Sequence, residues 1–136
     1  MLARRLLLLW LTFFALYAAT TARDVLPADS GEFQLTAATW GIAHPPGYPL
    51  YTVASALWMR LIPIGAAVFR VNLFSAALAA TTLVLIAATV RAWATAWGFT
   101  ARAALAGGVA AALLFGSAST FWAQATIANI RMPTML

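Results

Sequence analysis

The side chains able to move a proton near neutral pH sit in one stretch. Asp24, Asp29, Glu32 and His44 are the chain's three carboxylates and its only histidine, and all lie between Asp24 and Tyr51. A carboxylate at a membrane surface can take the proton from a hydroxyl nucleophile as a new bond forms. Asp29 and Glu32 are three positions apart, so on a helix they share a face. One could act while the other orients a group or binds a metal. A structural reading stands beside this one. Asp29 suits a helix N-cap and Glu32 then falls at the third helical position, a capping-box arrangement. Acids at a helix N-terminus also suit its dipole. His44 suits a proton shuttle or a phosphate contact, or a local hydrogen bond in its loop. Tyr48 and Tyr51 read as interfacial anchors. Arg60 and Arg70 flank a Pro63-Ile64-Gly65 turn. Their guanidinium groups match phosphate geometry, and they could equally meet ordinary headgroups.

These residues must be held by elements that are almost wholly apolar. Of 136 residues, 64% are hydrophobic and 8% charged, with mean hydropathy +0.90. Soluble domains carry about 25% charged residues, so the composition is that of an integral membrane protein, and its span-length apolar runs predict an all-α one. Three spans are expected, at 6–22, 71–90 and 103–122. Between the first two lies a polar loop over 24–66. Within it, the acids followed by FQLTAATW and Gly41 predict a short helix from about Ser30 to Trp40. Phe33, Ala37 and Trp40 share one face of that helix and suit the membrane interface. His44-Pro45-Pro46-Gly47-Tyr48-Pro49 predicts a stiff turn, because proline lacks an N–H and restricts its predecessor. Leu50 to Ile62 is too short to span and reads as a second interfacial or re-entrant helix. Gly107, Gly108 and Ala111 give the third span a small-residue face for close helix approach.

Arg4 and Arg5 place the N-terminus in the cytoplasm and the acidic loop outside. On that topology four arginines lie inside (Arg4, Arg5, Arg91, Arg102) and four outside (Arg23, Arg60, Arg70, Arg131), so the two N-terminal ones decide. A cleaved signal peptide is the rival reading of the first segment. The net charge of +5 comes from scattered arginines, which argues against nucleic acid as a partner. The chain has no cysteine, so disulfides and thiolate metal sites are excluded. A metal could bind only at the acidic loop, and none is assigned.

The motifs DSGEF, GIAHPPGYPLY, FRVNLFSA and FWAQATIA occur in that order across residues 24–128. Together they resemble the protein O-mannosyltransferase-like family of multi-pass membrane proteins, placed with the GT-C glycosyltransferases. The resemblance implies the N-terminal part of a GT-C fold in a bacterial inner membrane or the endoplasmic reticulum. It implies transfer of a sugar, mannose by family, from a polyprenyl- or dolichyl-phosphate donor to a protein hydroxyl. By motif Asp29 takes the catalytic base and Glu32 a neighbouring role at the acceptor or the donor phosphate. His44, Tyr48, Arg60 and Arg70 are the candidate substrate contacts. The expected partners are membrane lipids, the lipid-linked donor and the remainder of the enzyme. After FWAQATIA the family usually continues with Glu, where this chain has Asn129. The family's proteins are several times longer, so the expectation is an N-terminal fragment, with a non-catalytic membrane anchor or subunit as the alternative.

Overall fold

A computed structural model describes residues 2–136. Among these the fold is all helical: α1 (Leu2–Thr20), α2 (Ala28–Thr39), α3 (Pro49–Leu61), α4 (Ala67–Ala96), α5 (Ala101–Ser117), α6 (Ser119–Ala125) and α7 (Arg131–Thr134). Two helices, α1 and α4, are long and apolar enough to cross a membrane, and α5 with α6 makes a third if that bent pair is one span. At 1.5 Å per residue the 19 residues of α1 rise about 28 Å, close to the hydrocarbon thickness. The 13 residues of α3 rise only about 20 Å, too little to cross. The chain is therefore an integral membrane protein.

Helix α4 is the spine, packing against α1, α5, α3 and α2. Phe13 and Tyr17 of α1, Ala76, Ala80 and Leu83 of α4, Ala112 of α5 and Phe121 of α6 share one core. Side-chain hydrogen bonds tie the spans within it: Trp10 Nε1 donates to Thr81 Oγ1 at 3.0 Å and Tyr17 Oη to the Gly116 carbonyl at 2.8 Å. The expected continuous third span instead breaks, with α5 and α6 meeting at 75°. Ala118 at the break takes extended backbone angles, so nearby carbonyls lose their helical partners. The Tyr17 hydroxyl satisfies one of them, which lets a broken helix sit inside an apolar bundle.

The small-residue face works at one glycine and not at its neighbour. A methyl on Gly108 would fall 2.3 Å from the Ala87 carbonyl oxygen of α4, whereas one on Gly107 would meet nothing within 4 Å. Gly108→Ala is therefore expected to destabilise the α4–α5 contact by about 1–3 kcal/mol through overpacking. Gly107→Ala is expected to be neutral or stabilising by up to about 1 kcal/mol, from helix propensity alone. Unfolding midpoints of the two variants in detergent check this; equal shifts would show that α5 does not approach α4 through Gly108.

Candidate functional site

The acidic loop folds as a cap over one end of the bundle. α2 and α3 pack on each other and on the first turns of α4. Their shared core contains Phe33, Ala37, Tyr51, Ala56, Met59, Val71 and Ala128. The face expected to lie in the interface is thus largely buried in protein: Phe33 is 2% exposed, and Trp40, at 51%, lies outside it. Tyr51, expected as an interfacial anchor, is likewise buried, and burial pushes its hydroxyl pKa up. Gly31 of DSGEF has a steric reason. A methyl there would fall 2.0 Å from the Leu26 carbonyl oxygen, so the first turn of α2 closes on the preceding strand of loop only with glycine.

The capping-box reading is corrected at this turn. Helix α2 begins one residue before Asp29, its N-cap position is Pro27, and no side chain caps it. Glu32 reaches forward instead of back. Its Oε1 accepts the His44 backbone N–H and its Oε2 meets His44 Nδ1, both at 2.6 Å. The twelve-residue return is made at the end of α2, where Trp40 adopts positive φ and the Gly41 N–H closes on the Thr36 carbonyl. The proline-rich turn that follows His44 contains a cis Pro45–Pro46 peptide, and its Gly47 and Tyr48 adopt positive φ. Tyr48 then serves as the N-cap residue of α3 with Pro49 just inside the helix, where a missing N–H costs nothing. Beneath the pair the Phe33 ring packs edge-on against Tyr48 and Tyr51, with centroids at 5.6 and 5.1 Å, and the His44 ring packs on Tyr48 at 5.6 Å.

Asp29, Glu32 and His44 therefore converge: one candidate ligand atom from each lies within 4.8 Å of the others. The three could hold a divalent cation, but both Glu32 oxygens already serve His44, so a cation would displace that pair. The Asp29 carboxylate is exposed and makes no hydrogen bond among the described residues. Glu32 and His44 form the one ion pair among the described residues. The hydrogen bond to Glu32 raises the His44 pKa, with smaller help from the charges of Glu32 and Asp29, and the bonds from His44 lower that of Glu32. Between 4.5 and 6.5, the ordinary values of the two groups, both partners are charged. The histidine's contribution is fully present below 6.5 and is lost as pH rises through its raised folded value. The His44 imidazole resonance, followed by NMR, is expected to titrate above 6.5 and to move back toward it in Glu32→Gln. An unchanged midpoint would remove Glu32 as the cause.

Arg60 and Arg70 are not brought to this cluster. Arg60 donates to the Ala37, Ala38 and Ala56 carbonyls and lies over the Trp40 ring at 4.4 Å. Arg70 donates to the Met59 and Ile62 carbonyls. Each guanidinium closes a helix C-terminus with cations where the dipole favours them.

A buried polar knot underlies the cap, and sequence reasoning passed over its centre. Asn72 is 0% exposed. Its Oδ1 accepts from Gln34 Nε2 at 3.0 Å and from the Ala128 N–H at 2.9 Å, and its Nδ2 donates to the Ala22 carbonyl at 2.8 Å. Gln34 Oε1 in turn accepts the Leu26 N–H at 3.1 Å. One amide thus joins the end of α1, the start of α4, α2 and the segment after α6. The available signal was a lone amide at the head of a long apolar run.

A helical membrane domain that gathers its acid–base side chains at one end of the bundle is the class that fold and site define. The chain belongs to a protein O-mannosyl-transferase family: the family described as Protein O-mannosyl-transferase TMEM260 N-terminal domain matches residues 29–130, a span that opens on Asp29 itself. The mouse Protein O-mannosyl-transferase TMEM260 is 34% identical over 116 residues, which cover 85% of this chain and 15% of that protein. The Protein O-mannosyl-transferase tmem260 of Dictyostelium discoideum is 29% identical over 90 residues, 65% of this chain and 11% of that protein. The chain thus spans about one seventh of the mouse relative's length. No solved structure matches it.

Proposed function

We propose that this domain supplies the catalytic base of a mannosyl transfer from a polyprenyl- or dolichyl-phosphate donor to a protein hydroxyl, at the extracytoplasmic face of the membrane. Asp29 takes the hydroxyl proton as the acceptor oxygen bonds to the sugar's anomeric carbon. The bond from that carbon to the phosphate oxygen breaks, and its electron pair leaves with the lipid phosphate. A phosphate is already a good leaving group, so the step needs a base and a nearby cation more than an acid. Glu32 holds His44 charged and in place, and His44 meets the leaving phosphate. Tyr48 orients the imidazole from the other side. Arg60 and Arg70 act by holding α2 and α3 under the cluster.

The observation that carries this reading is the division of labour between the two acids. Glu32 is occupied by His44, whereas Asp29, three residues earlier, has a carboxylate with no hydrogen-bond partner among the described residues. A base must keep a lone pair for the proton it takes. The test is a chimera in which residues 24–136 replace the matching part of the full-length mouse relative. Mannose should pass from the lipid phosphate donor to a serine- or threonine-containing acceptor. A folded chimera that uses only a nucleotide-linked donor, or transfers nothing, would contradict the proposal.

A further inference from the structure

The charges of this chain are segregated. The three acids all lie at the capped end, in residues 24–32. Among the described residues, the charged side chains at the opposite end of the bundle are arginines alone. Arg5 of α1, Arg91 of α4 and Arg102 of α5 line one cavity of about 200 Å³ there, with Leu2, Ala101 and Leu105. None of the three guanidinium groups has a carboxylate partner among the described residues, where the one ion pair is that of His44 and Glu32. Nor, among the described residues, do they hydrogen-bond to carbonyls, as Arg60 and Arg70 do at the other end. Three unpaired cations around one small space repel each other, and an anion placed among them relieves that repulsion.

A second cavity, of about 450 Å³, adjoins the first and shares Arg5, Arg102 and Leu105 with it. Its other walls are Leu8, Ala106 and Val109. These residues lie further along α1 and α5, toward the middle of the membrane. Both helices pack on α4, and this furrow runs between them. A basic pocket thus opens into an apolar furrow one to two turns long.

We infer that this end of the bundle is a binding site for an anionic glycerophospholipid, its phosphate on Arg5, Arg91 and Arg102 and an acyl chain in the furrow between α1 and α5. The charge selects the headgroup. Guanidinium pairs with phosphate oxygens through two parallel hydrogen bonds, and basic pockets between membrane helices bind anionic headgroups. A choline headgroup brings its own cation into the pocket and loses that advantage. The furrow selects a lipid over a free anion, because a soluble phosphate leaves the apolar walls unused. This inference is independent of the mannosyl transfer proposed above, since the site lies at the other end of α1 from Asp29.

Native mass spectrometry of the full chain in nonionic detergent tests it, with an equimolar mixture of phosphatidylglycerol and phosphatidylcholine. Phosphatidylglycerol should be retained at least tenfold over phosphatidylcholine. Each of Arg5→Gln, Arg91→Gln and Arg102→Gln should weaken retention roughly fivefold. Val109→Trp, which fills the furrow and leaves every charge, should also weaken it. Equal retention of the two lipids by the unaltered chain would overturn the inference, and that measurement depends on no substitution folding correctly. So would competition by glycerol phosphate as effective as that by the whole lipid, since the furrow would then contribute nothing.

Discussion

Asp29→Asn is expected to lower mannose transfer by about 10²- to 10⁴-fold, the range a positioned general base contributes. The substitution keeps the size and polarity of the side chain and removes only its ability to take a proton. Its effect on folding should be small. Asp29 does not cap α2 and makes no hydrogen bond among the described residues, and it is exposed. What it loses is a favourable position near a helix N-terminus, which is a minor effect at an exposed site. Glu32→Gln should behave differently. It removes the negative charge and one of the two acceptor oxygens that hold His44, so its loss should be smaller and should appear mainly at the alkaline side of the pH–rate profile, where His44 then loses its proton earlier. Transfer assays across pH on the two chimeras separate these roles. An Asp29→Asn protein that transfers at the unaltered rate would remove Asp29 as the base, and one that fails to fold would restore a structural role to it.

Asn72→Ala carries the largest expected cost in stability. It leaves the Ala128 N–H, the Ala22 carbonyl and the Gln34 side-chain amide without the partner they have now. A buried polar group left unsatisfied costs about 1–3 kcal/mol, so the total should reach about 3 kcal/mol or more, before the small cavity is counted. Gln34→Ala breaks one of the same bonds and frees the Leu26 N–H. The two residues touch, so their effects should not add, and a double-mutant cycle should give a coupling of about 1 kcal/mol or more. Unfolding of the single and double variants in detergent measures it. Additive losses would mean that the knot is a set of separate bonds and not one network.

The polar island was legible because nothing else in the chain resembles it. Asp24 to Tyr51 stands out from apolar neighbours, and both short helices inside it could be read from their stop and start residues. The length of α3 was legible too, since Pro49 and Pro63 bound it. The partner of Glu32 was not. The acid at the third position of a helix has a local explanation, and local explanations are what spacing supplies. The actual partner, His44, is twelve residues away, and only the reversal of the chain after α2, at Trp40 and Gly41, brings it back. Arg60 and Arg70 were legible only as cations near a membrane surface. Their donation to carbonyls at helix C-termini depends on how α2, α3 and α4 pack together. The break in the third span was hidden for another cause. Gly116, Ser117 and Ser119 loosen the helix, but the group that meets the freed Gly116 carbonyl at the bend is the hydroxyl of Tyr17, 99 residues earlier. Asn72 was visible as a polar residue in an apolar helix, while its three partners come from three distant segments.

The most direct measurement separates donor binding from turnover in the Asp29→Asn chimera. Donor affinity and the single-turnover rate with donor already bound are measured on one preparation. The account predicts donor affinity within about twofold of the unaltered chimera and a single-turnover rate lower by about 100-fold or more, because the base acts only as the proton moves. A single-turnover rate that is unchanged, or a loss fully explained by weaker donor binding, would contradict it.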